Sequence, residues 1–210
     1  GYQVILLTAY QFGELTQIYP VARGASPLLI TVFTMMTVPG FLQIMEVIGV
    51  IMISGAIMTY GIIQYRTKSV GFTGVILAVI TGFFIASYSI VDAEGTRITQ
   101  SAVSYYGAST TANAVLFALY LLWFRPTVFG RIFRDAPSTF IIGGNASYFA
   151  YVGVLWACLS TPVAVVSSLR ETSVLFAVVL GVLFLKEKMT LLKVGVILTI
   201  FFGVIVLRTA

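Results

Sequence analysis

Hydrophobic residues fall in long blocks along this chain, broken by short polar or charged stretches. A block of about 20 apolar residues, rising 1.5 Å each as a helix, crosses the ~30 Å hydrocarbon core of a bilayer. The blocks lack the roughly 10-residue alternation of outer-membrane barrel strands. Eight spans are predicted. The first apolar block, Tyr2 to Pro39, is too long for one span. A break at Gly13-Glu14 gives a short first segment and a second span over Glu14–Val38; a break at Arg23-Gly24 is the rival. The short segment then reads as the second half of a helix, with further helix before Gly1. Pro39-Gly40 supplies the next turn. The remaining spans are expected at Leu42–Ile63, Gly71–Val91, Ser101–Phe124, Thr139–Cys158, Pro162–Leu185 and Leu191–Leu207. Asp92-Ala93-Glu94-Gly95 is expected to close the fourth. Ser160-Thr161-Pro162 is a start signal for the seventh, with proline in the first turn, where its missing N–H is not needed.

Composition fixes the solvent. The chain is 59% hydrophobic and 9% charged, against about 25% charged for soluble domains. The fold class expected is an all-α polytopic membrane protein, because lipid forces every backbone polar group to bond internally. The net charge of +5 is explained by short loops and does not call for nucleic acid. Arg66, Lys68, Arg125, Arg131, Arg134, Lys186 and Lys188 fall on one side, Arg97 and Arg208 on the other. That bias places the first side in the cytoplasm and the protein in the cytoplasmic (inner) membrane. With no histidine and one cysteine, Cys158, no intrachain disulfide, zinc or haem site, or His-dependent triad can be built. Gly71-Phe72-Thr73-Gly74 lacks the Gly-Lys-Ser/Thr of a nucleotide loop. No cofactor is expected, nor an enzyme.

Sliding the chain on itself by about 147 residues sets Arg23-Gly24-Ala25-Ser26 on Arg170-Glu171-Thr172-Ser173 and Glu46 on Lys193. Five spans separate the copies, so they would point opposite ways through the membrane. Inverted repeats of this kind place a substrate near the midplane between them. The expected division is residues 1–65, the last three spans of a first repeat, and residues 70–210, a second repeat of five spans. Two helices would then precede Gly1, making eight of an expected ten.

The chemistry-bearing residues sit where hydrocarbon is expected. Arg170 lies about 13 Å into the seventh span at 1.5 Å per residue, and a charge there is kept only if something compensates it. It either holds an anionic group in its guanidinium fork or locks helices through Glu14, Asp92 or helix-end carbonyls. Arg170 and Glu171 point about 100° apart on a helix, a poor geometry for pairing with each other. Glu171 is either a proton-carrying coupling group or a static hydrogen-bonding one. Arg23 is the repeat partner of Arg170 and shares a face with Tyr19 and Ser26. Polar residues recur on single faces of other spans: Thr81, Tyr88 and Asp92; Tyr106, Ser109 and Asn113; Asn145, Tyr148 and Trp156. These faces line either a cavity or a helix contact. Pairs of small residues, among them Gly74 and Gly82, Gly195 and Gly203, and Gly143 and Gly144, suit close helix packing. The substrate-binding candidates are Arg170, Glu171, Asn145, Tyr148, Tyr88, Arg23 and Tyr19. Asp92 and Glu94 form the one close acidic pair that a membrane-embedded enzyme could use.

YPVARGASPLL, FFIASYSIVDAEGTR, PVAVVSSLRETSVLFAVVLGVLFLKEK and KVGVILTIFFGVIVL together resemble the drug/metabolite transporter superfamily, specifically EamA-like permeases. Leu185-Lys186-Glu187 is similar to the Leu-Gly-Glu motif of that family; Met36-Thr37-Val38-Pro39-Gly40 departs from it. The resemblance implies ten helices in two inverted five-helix repeats. It implies a secondary carrier of metabolites such as amino acids or related compounds, with multidrug or cationic efflux as the alternative. The expected partners are a small-molecule substrate and the lipid bilayer. A coupling proton or ion and a second copy of the chain (a homodimer) are further candidates.

Overall fold

The structure, a computed structural model, describes residues 15–38, 40–67, 72–124, 137–173, 176 and 190–209. Among these there are helices and turns and no strand. The helices are α1 (Leu15–Thr37), α2 (Ile44–Thr67), α3 (Phe72–Thr99), α4 (Ala102–Phe124), α5 (Gly144–Ala157), α6 (Val163–Glu171) and α7 (Leu191–Thr209). A π-helical turn, Thr139–Gly143, leads into α5.

Five helical stretches are long and apolar enough to cross a membrane: Ile44–Ile63, Ile76–Thr99, Ala102–Phe124, Phe140–Ala157 and Leu191–Thr209. Val21–Thr37 is a shorter apolar helix. The first expected span and residues 174–175 and 177–185 of the seventh lie outside the described residues.

Two expectations change. Helix α1 runs unbroken through Arg23-Gly24 and past Pro20 and Pro27, which removes the rival break at Arg23-Gly24. Helix α3 does not stop at Val91. It continues to Thr99, carrying Asp92, Glu94 and Arg97 as helical residues; the packing described below gives each of them a partner. At 28 residues it is about 42 Å long, beyond the ~30 Å of hydrocarbon.

Helix starts follow local rules. Glu46 accepts a hydrogen bond from the Gln43 N–H at 2.8 Å, closing the first turn of α2. Thr190 caps α7 by accepting from the Lys193 N–H at 3.3 Å. Between α3 and α4, Gln100 adopts φ +53°, the left-handed region that costs a non-glycine residue about 1 kcal/mol. Gln100→Gly is expected to raise the melting midpoint of the solubilised protein by a few degrees; an unchanged or lower midpoint would show the turn to be unstrained.

The chain divides into two compact units. Residues 1–90 with 162–210 form the first, and residues 91–161 the second. These are units of packing; the expected two-repeat division is a different partition, taken up below as a proposal.

In the first unit, α1 packs against α2, α3 and α6, and α7 packs against α2. The largest buried cluster joins Val50, Ile53, Ala56 and Ile57 of α2 to Val165 of α6 and Val196, Ile200 and Leu207 of α7. A second joins Ile30 of α1, Ala86 of α3 and Ala164 of α6. Glycines set the approach distances. A Cβ on Gly82 would stand 2.8 Å from the Ala22 carbonyl oxygen, and one on Gly24 would stand 3.0 Å from the Ser54 carbonyl oxygen. Gly203 lies likewise against Ile53 and the Gly49 carbonyl. Among the described residues nothing lies within 4 Å of a Cβ added to Gly143, Gly144 or Gly195, so close packing is not seen at these three.

In the second unit, α4 and α5 contact each other but bury little of themselves. Only Ala102 and Leu121 of α4 and Leu155 of α5 are buried. Outward-facing Leu116, Phe117, Leu119 and Leu122 make sense when lipid is the solvent. Tyr120, Trp123 and Phe124 crowd the last turn of α4, the position of an interfacial aromatic belt.

Candidate functional site

Several buried hydroxyls are occupied within their own helices. Thr31 donates to the Pro27 carbonyl at 2.8 Å, Thr81 to Leu77 at 2.7 Å and Ser168 to Ala164 at 2.8 Å. This back-bonding hides a hydroxyl in an apolar setting without any outside partner. Of the three polar faces, Thr81 is buried while Asn113, Asn145 and Trp156 are exposed. The Asn145 amide donates to the Ile141 carbonyl at 2.8 Å across the π-turn.

A different set of groups converges in the first unit. Glu171, at the C-terminal end of α6, is fully buried, with 0% of its surface exposed. Arg23 of α1 places Nε 3.5 Å from Oε2, and Arg170 places Nε 3.4 Å from Oε1. Adjacent Arg170 and Glu171 are expected to pair with poor geometry. They meet at the long edge of hydrogen-bonding range, the sideways reach that a 100° offset permits. Arg23 also donates through Nη1 to the Ser173 hydroxyl at 3.0 Å. Both arginine side chains keep part of their surface exposed, 25% and 16%. The carboxylate is therefore the interior anchor, and the two guanidinium groups are the reachable edge.

The local chain explains the placement. Pro27 has no N–H to return to the Arg23 carbonyl four residues back, so α1 is weakened at Arg23. Helix α6 tightens at Thr172, whose N–H bonds the Leu169 carbonyl at 3.1 Å. Charged side chains therefore stand at a proline-weakened helix and at a helix end. Buried hydroxyls without a hydrogen-bond partner are spread over five helices: Ser26 on α1, Ser54 on α2, Ser89 on α3, Thr110 on α4 and Ser167 on α6. The Oε2 of Glu171 also lacks a hydrogen bond of good geometry, although Arg23 faces it.

Of the candidates named from sequence, Arg23, Arg170 and Glu171 come together. Tyr88 is half-buried on α3 in the same unit, and Tyr19 lies in α1 one turn before Arg23. Asn145 and Tyr148 belong to the second unit. The alignment of Arg23 with Arg170 gave no sign that the two share one carboxylate.

Sequence reasoning missed a second cluster. In the second unit Asp92 accepts hydrogen bonds from Tyr105 at 3.1 Å and Tyr151 at 2.9 Å. The ring of Tyr106 lies 5.3 Å from that of Tyr148 and 4.8 Å from that of Tyr151. Arg97 bonds Glu94 at 2.6 Å and the carbonyls of Cys158 and Thr161 at 3.0 and 3.3 Å. A guanidinium on these carbonyls completes the C-terminal end of α5. Asp92 and Glu94, the acidic pair weighed for an enzyme, are thus held by different partners. No group of His, Cys, Asp and Glu among the described residues could hold a metal. A groove of about 500 Å³ between α2 and α7, at Gly55 and Gly195, is lined by apolar residues, glycines and threonines and lacks any charged group.

Long apolar helices with charged groups gathered inside define a multi-pass helical membrane protein. The chain belongs to the EamA-like transporter family, whose family model matches residues 72–209. That is a family of drug/metabolite-type transporters and not of enzymes. Comparison with curated proteins and with solved structures finds no match.

Proposed function

We propose that this protein is a secondary carrier of small metabolites, such as amino acids or related compounds, in the cytoplasmic membrane. It works by alternating access between two inverted repeats, with Arg170 holding an anionic group of the substrate. The observation that carries the reading is the fully buried Glu171 flanked by two partly exposed arginines. A carboxylate at that depth orients guanidinium groups whose fork suits a second carboxylate. One pair of helix starts supports the repeat: the offset of about 147 residues carries Ile44, where α2 begins, onto Leu191, where α7 begins. In this reading Arg23 and Tyr88 line the cavity beside Arg170, and Glu171 serves as counter-ion to both arginines. The excess of Lys and Arg on one set of loops supports a cytoplasmic side there.

A second reading is favoured by the same burial: the cluster locks α1 to α6 and touches no substrate. Uptake into proteoliposomes separates the two. Arg170→Gln is expected to lower uptake of a carboxylate-bearing solute at least tenfold, while the melting midpoint falls by only a few degrees. If uptake and melting fall together, and Arg170→Lys restores both, the lock is the correct account. No flux of any amino acid, organic acid or cationic drug through folded protein would overturn the carrier reading itself.

A further inference from the structure

We infer that the second unit carries a binding site for an organic ammonium ion, formed by Asp92 with the rings of Tyr106, Tyr148 and Tyr151. Asp92 sits on α3, half-buried, and its two oxygens accept from Tyr105 and Tyr151. Both donors are neutral. Among the described residues Asp92 has no ion pair; Arg97, the basic residue on the same helix, is held by Glu94, Cys158 and Thr161. A half-buried carboxylate without a countercharge is costly in a protein whose surroundings are lipid. Two phenols lessen that cost but leave the charge in place. An ionised carboxylate offers about four lone-pair positions, of which the tyrosines take two.

The neighbours are suited to a cation. Tyr106 stands between Tyr148 and Tyr151 at ring separations of 5.3 and 4.8 Å, tilted by 31° and 49°. Ring faces carry negative quadrupole and attract ammonium and guanidinium groups within about 6 Å. Two glycines make the arrangement possible. A Cβ on Gly107 would lie 3.3 Å from the Tyr148 hydroxyl, and one on Gly95 would run into the Tyr105 ring. Tyr105, Tyr106, Tyr148 and Tyr151 are all half-buried, so the cluster is reachable and not sealed. The rings are too close together for a cation between them. The ligand that fits is a primary ammonium, two of whose three N–H donors meet the two open lone-pair positions of Asp92, with an apolar body laid along the exposed ring faces. An anion is excluded by the carboxylate.

This inference does not rest on the arginine reading, which uses Arg170 and Glu171 in the other unit. The test is calorimetric titration of the full chain in lipid nanodiscs with benzylammonium and with its uncharged analogue, benzyl alcohol. The amine is expected to bind at least tenfold more tightly than the alcohol. Asp92→Asn keeps the shape and an acceptor for a tyrosine, and it is expected to reduce that preference to less than threefold. Tyr106→Leu is expected to weaken the amine severalfold and the alcohol much less. Equal binding of amine and alcohol by the unaltered chain would overturn the proposal. So would unchanged amine affinity in Asp92→Asn of preserved melting midpoint. The first comparison needs no variant and decides the matter even if Asp92→Asn fails to fold.

Discussion

Glu171→Ala is expected to leave little folded protein. The substitution removes the one fully buried carboxylate of the described residues and leaves Arg23 and Arg170 facing the space it filled. Breaking a buried ion pair by deleting one partner costs about 3–5 kcal/mol, because the remaining charge is uncompensated. Against a total stability of roughly 5–15 kcal/mol, that is a large fraction. Glu171→Gln, which keeps an acceptor oxygen, is expected to be milder. Solubilised yield and melting midpoint, read by fluorescence-detected size exclusion, check the order. A midpoint for Glu171→Ala within two or three degrees of the parent would show that Glu171 is not the anchor. The triple change Arg23→Met, Arg170→Met, Glu171→Leu carries the argument further. Replacing a whole buried ionic cluster by apolar residues is often neutral or stabilising. A protein that then folds but no longer carries solute would separate the cluster's work from its structural part.

Gly82→Leu is the second severe change expected. Helix α1 is gripped from two sides. Gly82 of α3 meets it at the Ala22 carbonyl and at the Ala25 Cβ, 2.8 and 2.9 Å from where a Cβ would stand; its own Gly24 meets α2 at the Ser54 carbonyl. The obstructing atoms are largely backbone and cannot rotate away. A leucine at 82 therefore has to push α1 off, and α1 has no slack on its other side. Overpacking costs typically 1–3 kcal/mol, and here the upper end or more is expected. Because Arg23 lies next to Ala22 on α1, the same push draws it away from Glu171. Gly195→Leu is the control: nothing lies within 4 Å of its Cβ, so its midpoint should hardly move. Equal midpoints for the two variants would refute the tight α1–α3 crossing.

The helices were legible because their signal is local. A run of apolar residues of spanning length, closed by Pro39-Gly40 or Ser160-Thr161-Pro162, needs no knowledge of neighbours. The expected starts at Leu42, Ser101 and Leu191 stand within two residues of those of α2, α4 and α7. The end of α3 was misjudged for the opposite reason. Asp92, Glu94 and Arg97 look like loop residues until Tyr105, Tyr151 and the carbonyls of Cys158 and Thr161 are known to receive them. Those partners lie up to 64 residues away, and no periodicity reports such a contact. The candidate site was half legible. Charges inside apolar runs marked Arg170, Glu171 and Arg23; that both arginines share one carboxylate follows from how α1 and α6 pack. The asparagines were a poorer signal. Asn113 and Asn145 keep helical spacing with tyrosines, yet both stand exposed; the Asn145 amide is bonded to the Ile141 carbonyl of its own segment and does not need to face protein.

Cys158 ends α5 with 2% of its surface exposed, and it is the only cysteine of the chain. Thiol reagents therefore meet an almost silent background without any prior engineering. A single cysteine introduced at Gln100 or at Arg131 can be challenged with a membrane-impermeant maleimide from either face of sealed vesicles. Modification of the two from opposite faces would give the sidedness of the chain directly. The same reagent, applied with and without solute to a cysteine at Ser173, the hydrogen-bond partner of Arg23, would read whether that position changes its exposure during turnover.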